Sequence, residues 1–197
     1  MKRVVDIILS GTALLLLAPV LAVLWCVVRI TMGSPAIFSQ RRPGLHGRMF
    51  TLHKFRTMRV DDASVVDTDG DGARLTRLGR ILRSTSLDEL PELWNVLRGD
   101  MSLVGPRPLL EEYLPLYTPE QARRHDVRPG LTGWAQVNGR NAVDWERRFE
   151  LDVWYVDHHS IWMDIRIMFR TVLQVLRPGQ TTSAGHATQA KFTGSGS

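Results

Sequence analysis

The stretch Ser84-Thr-Ser-Leu-Asp-Glu-Leu-Pro-Glu-Leu-Trp-Asn95 sets two adjacent carboxylates, Asp88 and Glu89, at the entrance to a helix. Ser86-x-x-Glu89 has the spacing of a capping box. That frame puts both acids in the first turn, where unpaired N–H groups and the helix dipole favour negative charge. Asp88 would then be ionised, and the same place suits a phosphate or a divalent metal. Pro91 offers a second frame, in which the helix starts at the proline and the two acids lie on the bend before it. Two rigid loops follow. Gly99-Asp-Met-Ser-Leu-Val-Gly-Pro-Arg-Pro108 holds Arg107 between prolines, which restricts where its guanidinium can go. Val127-Arg-Pro-Gly-Leu-Thr-Gly-Trp-Ala-Gln-Val-Asn-Gly-Arg-Asn141 adds Arg128 and Arg140 as candidate phosphate ligands. Upstream, Arg74, Arg77, Arg80 and Arg83 fall on one face of a predicted helix whose Leu75, Leu78, Ile81 and Leu82 fall on another. A carboxylate can form an acyl phosphate, and cations around it offset the charge that gathers at phosphorus.

The elements that must position these groups begin with a membrane segment. Ile7 to Val28 is 22 residues without a charge, about 33 Å as a helix and enough to cross a bilayer core. It exceeds a signal-peptide core in length and no cleavage pattern follows it. Pro19 sits near its middle and favours a bend. Lys2 and Arg3 precede it; Arg29, Arg41, Arg42, Arg48, Lys54, Arg56 and Arg59 follow with no acid until Asp61. Both flanks therefore read as cytoplasmic, which favours a re-entrant helix hairpin over a span. Asp6, at the apolar edge, has Lys2 and Arg3 as available partners.

Beyond the segment, AIFSQ and MFTLHKF joined by RRPGLHG predict a β-hairpin. Residues 61–72 hold five Asp and no cation, and read as a loop. Asp67, Asp69, Asp71 and Gly72 match the start of a calcium loop, but Leu78 stands where a bidentate Glu is required. Thr118-Pro-Glu-Gln121 predicts a helix start with a capping box. Four of six Trp lie between 134 and 162, and 161–176 is apolar with Arg166 and Arg170 interspersed, which fits either an interfacial helix or a core helix. The expected organisation is an N-terminal re-entrant membrane helix (1–30), a cytosolic domain at the membrane interface (31–180) and a C-terminal tail (181–197). The fold class is α+β and mostly helical, with a β-hairpin and interfacial amphipathic helices around a compact domain.

The 197 residues carry a net charge of +5, and only three of the 25 cations are Lys, so the positive charge is mostly Arg, suited to bidentate phosphate contacts. A single Cys excludes an intrachain disulfide and a multi-Cys zinc site. A basic nucleic-acid-binding protein would not need the apolar N-terminus, and no nucleic-acid motif is present. A noncatalytic membrane scaffold would not need Asp88-Glu89 beside two Arg loops.

Lys2-Arg3-Val-Val-Asp6, Lys54-Phe-Arg-Thr-Met58, Ser86-Leu-Asp-Glu-Leu-Pro91, Gly99 to Pro108 and Arg128-Pro-Gly-Leu-Thr-Gly133 occur in the order found in the bacterial sugar transferase family, and the chain resembles its small monotopic phosphoglycosyl transferases over nearly its whole length. One departure is Ala18, where the small enzymes often carry Ser before the membrane proline. The resemblance implies transfer of a sugar 1-phosphate from a UDP-sugar to undecaprenyl phosphate with release of UMP, initiating glycoconjugate assembly at the cytoplasmic face of the bacterial inner membrane. It implies Asp88 as the nucleophile that forms an aspartyl-phosphosugar intermediate, and Glu89 as the residue holding Mg²⁺. It also implies Lys54, Arg83, Arg107 and Arg140 as substrate-phosphate ligands, with Asp152 as a further matched acid. The partners it implies are the UDP-sugar, undecaprenyl phosphate and bacterial membrane lipids, with no nucleic acid.

Overall fold

The computed structural model describes residues 1–58, 75–139, 143–176 and 191–194. Arg74, the Asp-rich stretch with its partial calcium pattern, and Arg140 lie outside them. Helix α1 runs Lys2–Met32 with Pro19 inside it rather than at an end. Among the described residues it is the one helix long and apolar enough to cross a membrane, with a mean hydropathy of 2.5 over its best window, of which 6% is buried.

The two ends of α1 are tied to the same body. At the start, Lys2 donates to Val104 O (3.0 Å), to Tyr155 Oη (3.1 Å) and to Asp164, while Arg3 donates to Val96 O (2.5 Å) and Leu97 O (2.7 Å). Asp6 is buried and accepts from Ser102 Oγ (3.1 Å) and Leu103 N (3.0 Å), so its partners are neither Lys2 nor Arg3. The residues expected as membrane flanks are thus docking groups. At the far end Val28 is fully buried with Ala36, Phe55 and Leu82. Arg56 closes that end by donating to the carbonyls of Met32, Gly33 (2.8 Å) and Ser34 (3.1 Å), which a helix terminus leaves unpaired.

Strands β1 (Ile37–Pro43) and β2 (Met49–Phe55) form the expected antiparallel hairpin, with Phe38 opposite Lys54 and Gln40 opposite Leu52. Helix α2 (Arg77–Ser84) starts at Thr76, whose side chain accepts from Gly79 N. Gly79 is demanded by contact: a Cβ there would lie 2.0 Å from Thr57 O, so only glycine lets α2 approach the end of β2. Ile81, expected on the apolar face, is instead 58% exposed.

Helix α3 (Glu92–Arg98) leads to β3 (Ser102–Val104), which pairs in parallel with β4 (Gly130–Thr132). Here the two Arg loops meet backbone to backbone. A Cβ on Gly130 would sit 2.0 Å from Gly105 N. Helix α4 (Pro119–Ala122) carries the expected capping box between Thr118 and Gln121. Helices α5 (Trp134–Val137), α6 (Trp145–His158) and α7 (Ile161–Val175) complete a mostly helical α+β architecture with two small sheets.

Helix α7 carries apolar residues on both sides. Its inward face buries Ile167 with Val104, Val137 and Tyr155 and adds Asp164, Thr171 bonded to Thr132 (2.7 Å) and Gln174 bonded to Val137 O (3.1 Å). Its outward face shows Trp162, Ile165, Phe169, Val172 and Leu176. Phe192, within the segment expected as a tail, is buried with Leu109, Tyr113 and Phe149.

Candidate active site

Of the two frames open for Asp88-Glu89, the structure adopts the second. Ser86 takes a left-handed backbone (φ 56°) and its side chain caps nothing, so the capping box does not form. A tight turn, Leu87–Glu89, carries the acids, and α3 restarts with Pro91 as its N-cap. A non-glycine residue at positive φ costs backbone energy, and such strain gathers where a side chain must be aimed.

Asp88 is 5% exposed. Burial, and then the neighbouring Glu89, raise its pKa, while Lys54, Arg107 and Arg83 pull it back down. The cations that favour its ionised form come from β2, α2 and the Pro106–Pro108 loop. Glu89 accepts a hydrogen bond from Arg107 Nη2, and this pairing holds Arg107 firmly charged. Lys54 lies over the ring of its cross-strand partner Phe38, 5.6 Å from the centroid. Burial and Arg107 lower the Lys54 pKa, and Asp88 raises it. Arg83 donates from Nε to Thr57 Oγ1 (3.1 Å), a bond made possible by the close approach at Gly79. The structure thus gathers Lys54, Arg83, Asp88, Glu89 and Arg107.

Two expected ligands are employed elsewhere. Asp152 is 2% exposed and accepts from Arg124 Nη2 (2.7 Å) and Nε (3.2 Å). Buried against a guanidinium, it is a supporting group rather than one open to a ligand. Arg128 donates from Nε to Gly99 O (2.9 Å), tying its loop to the end of α3.

Two residues went unread in the sequence. Arg124 is 2% exposed and donates from Nη2 to the carbonyl of Arg107 (2.8 Å), which links the Asp152 pair to the Pro106–Pro108 loop. Nothing local distinguishes it from Arg123, which faces solvent and pairs with Glu120 and Asp157. Glu92 is 1% exposed, and its Oε1 has no hydrogen-bond partner. Burial, then Glu89, push its pKa up to about 8. Its proximity to two acids one turn earlier was the available signal.

Among the described residues no group of three or more His, Cys, Asp or Glu is arranged to hold a metal. The acids do suit Mg²⁺ arriving on a diphosphate, because that ion takes one or two carboxylates and fills its other positions with water and phosphate oxygens.

A body with one long apolar helix that sets a buried carboxylate among guanidinium and ammonium groups fits one class: an enzyme handling phosphorylated substrates. The chain belongs to the bacterial sugar transferase family, which it matches over residues 1–178. It is 53% identical over 196 residues to an uncharacterized sugar transferase, EpsL, of Bacillus subtilis (strain 168), covering all of this chain and 97% of that protein. It is 40% identical to the undecaprenyl-phosphate galactose phosphotransferase of Salmonella typhimurium, covering 90% of this chain and 40% of the relative. It is 43% identical to the UDP-glucose:undecaprenyl-phosphate glucose-1-phosphate transferase of Escherichia coli K12, covering 88% of this chain and 40% of the relative. The chain therefore spans nearly all of the Bacillus protein but less than half the length of the Salmonella and Escherichia proteins.

Proposed function

We propose that this protein transfers a sugar 1-phosphate from a UDP-sugar to undecaprenyl phosphate in two steps through Asp88. An Asp88 carboxylate oxygen attacks the β-phosphorus, the bond from that phosphorus to the bridging oxygen breaks, and UMP leaves with the electron pair. An oxygen of the lipid phosphate then attacks the same phosphorus and the Asp88 carboxylate departs, leaving a polyprenyl diphosphate sugar. Splitting the transfer turns one difficult reaction between two anions into two steps. The observation that carries the reading is a buried carboxylate, Asp88, set in the field of Lys54, Arg107 and Arg83. Those three cations bind and orient the diphosphate and stabilise charge as it shifts. Glu89 would hold Mg²⁺, which when bound would neutralise charge on the diphosphate.

In this reading α1 is re-entrant. The support is that Lys2, Arg3 and Asp6 near one end, and Val28 with the Arg56-capped carbonyls near the other, contact the same body. The exposed Leu15 and Leu16 near its middle, and the outward face of α7, would meet the acyl and headgroup layers of a bacterial inner membrane. The catalytic body then faces the cytoplasm, where nucleotide sugars are made. The names of the relatives make glucose and galactose the first sugars to try. The test is UMP release from UDP-glucose, UDP-galactose and UDP-N-acetylated hexosamines with undecaprenyl phosphate and Mg²⁺. Release by the wild type and its loss in Asp88→Asn are expected; equal release by both proteins overturns the role of Asp88.

A further inference from the structure

We propose that the C-terminal segment at Lys191–Gly194 is a positioning element of the active site. Phe192, wedged among four aromatic rings, holds the wall against which Arg124 lies, and through Arg124 it sets where Arg107 presents its guanidinium. The proposal rests on the transferase reading above.

Phe192 is 5% exposed although it lies more than a dozen residues beyond the end of α7. Its ring is edge-on to Phe149 (5.0 Å between centroids) and to Tyr113 (5.7 Å), stacked on Tyr117 (6.0 Å) and tilted against Trp145 (5.6 Å). Aromatic pairs at these separations contribute beyond the area they bury. The neighbouring ion pair between Lys191 and Glu112 (3.4 Å) is about half exposed on both sides and adds little, so the ring is the anchor.

Two of the rings that Phe192 touches are the ones beneath Arg124. Its guanidinium lies over Phe149 (5.6 Å) and Tyr117 (5.9 Å). The same guanidinium divides its Nη2 between Asp152 and the Arg107 carbonyl, and Arg107 in turn engages Glu89 beside Asp88. Removing the Phe192 ring opens a cavity beside Phe149 and Tyr117. The rings can then relax away from Arg124, and water can compete for the buried carboxylate of Asp152. A shift of a fraction of an ångström at the Arg107 carbonyl is passed directly to a guanidinium that must meet a phosphate.

The experiment compares wild type, Phe192→Ala, Phe192→Leu and a chain ending at residue 190, each alone and with Arg107→Ala. Steady-state UMP release and hydrogen–deuterium exchange at residues 105–108 and 123–125 are read together. Phe192→Ala and the truncation are expected to raise the KM for the UDP-sugar on the order of tenfold, with a smaller change in kcat. Exchange in both segments should be faster, and Phe192→Leu should recover most of the loss. With Arg107→Ala present, Phe192→Ala should add almost nothing, because both act on one group. An unchanged KM in Phe192→Ala overturns the proposal, as does a loss of the same size with and without Arg107. If the wild type releases no UMP, the transferase reading fails instead; faster exchange at 105–108 then still upholds the mechanical link, and unchanged exchange refutes it.

Discussion

Replacing Asp152 with Asn leaves the shape of the Arg124 site intact and removes its charge. The side chains of Arg124 and Asp152 are 1% and 3% exposed, so the guanidinium left behind has no solvent to compensate it. Breaking a buried pair from one side costs about 3–5 kcal/mol, and retention of one amide oxygen as acceptor places Asp152→Asn near the lower figure. For a chain of this size about 3 kcal/mol is a fall of roughly 6–12 °C in Tm. Replacing both partners with apolar residues of similar volume, Arg124→Met with Asp152→Leu, removes the buried charges and should return Tm to near the wild-type value. It cannot return the donor to the Arg107 carbonyl, so UMP release should stay depressed. The assay pairs thermal unfolding in detergent, followed by tryptophan fluorescence, with UMP release at saturating and sub-saturating UDP-sugar. Recovery of activity along with Tm in the double variant would refute the positioning role. A raised KM in Asp152→Asn without loss of Tm would make Asp152 a substrate ligand after all.

Glu92 should make stability fall as pH rises. Its folded pKa, about 8, lies above the ordinary carboxylate value of 4.5, so the folded protein keeps a proton that the unfolded chain has released. The stabilisation is complete below pH 4.5 and is lost through pH 8, at most about 3 kcal/mol of it between pH 6 and 9. Glu92→Gln should therefore flatten the Tm profile over that range; parallel profiles would show that Glu92 is charged in the fold. Gly79→Ala forces a Cβ into Thr57 O and should cost several-fold in kcat/KM through Arg83, with Thr57→Val giving a similar rise in KM and Thr57→Ser restoring it. With Cys26 replaced by Ser, single cysteines at Met1 and Thr31 should both react with an impermeant maleimide from the same side of inside-out vesicles. Reaction from opposite sides would show a spanning helix.

Local patterns were legible where the partners are local. The β-hairpin follows from alternation and turn residues, and the α4 cap from Thr118 and Gln121 three residues apart. Asp88-Glu89 stood out because both acids and Pro91 lie within one turn. The contacts that were not legible share a cause. Lys2, Arg3 and Asp6 are charges beside an apolar run, and charge near a membrane segment reads as a flank until carbonyls and Ser102, about 100 residues away, are seen to claim them. Asp152 and Arg124 are 28 residues apart, and a buried ion pair leaves no periodic trace. Helix α7 has the apolar content of a core helix, yet only part of it packs inward: Ile167 is buried, while Trp162, Ile165, Phe169 and Val172 are exposed. Phe192 is a lone aromatic residue in a polar tail, and its partners begin about 80 residues upstream at Tyr113.

The central claim is a covalent bond between Asp88 and the sugar phosphate. Protein incubated with UDP-sugar and Mg²⁺ but no lipid acceptor, then quenched in acid and measured intact by mass spectrometry, should gain the mass of one sugar phosphate. The gain should map to the peptide holding Asp88, be absent in Asp88→Asn and disappear on addition of undecaprenyl phosphate. Unmodified protein that releases UMP only when both substrates are present would contradict the claim and point to direct transfer.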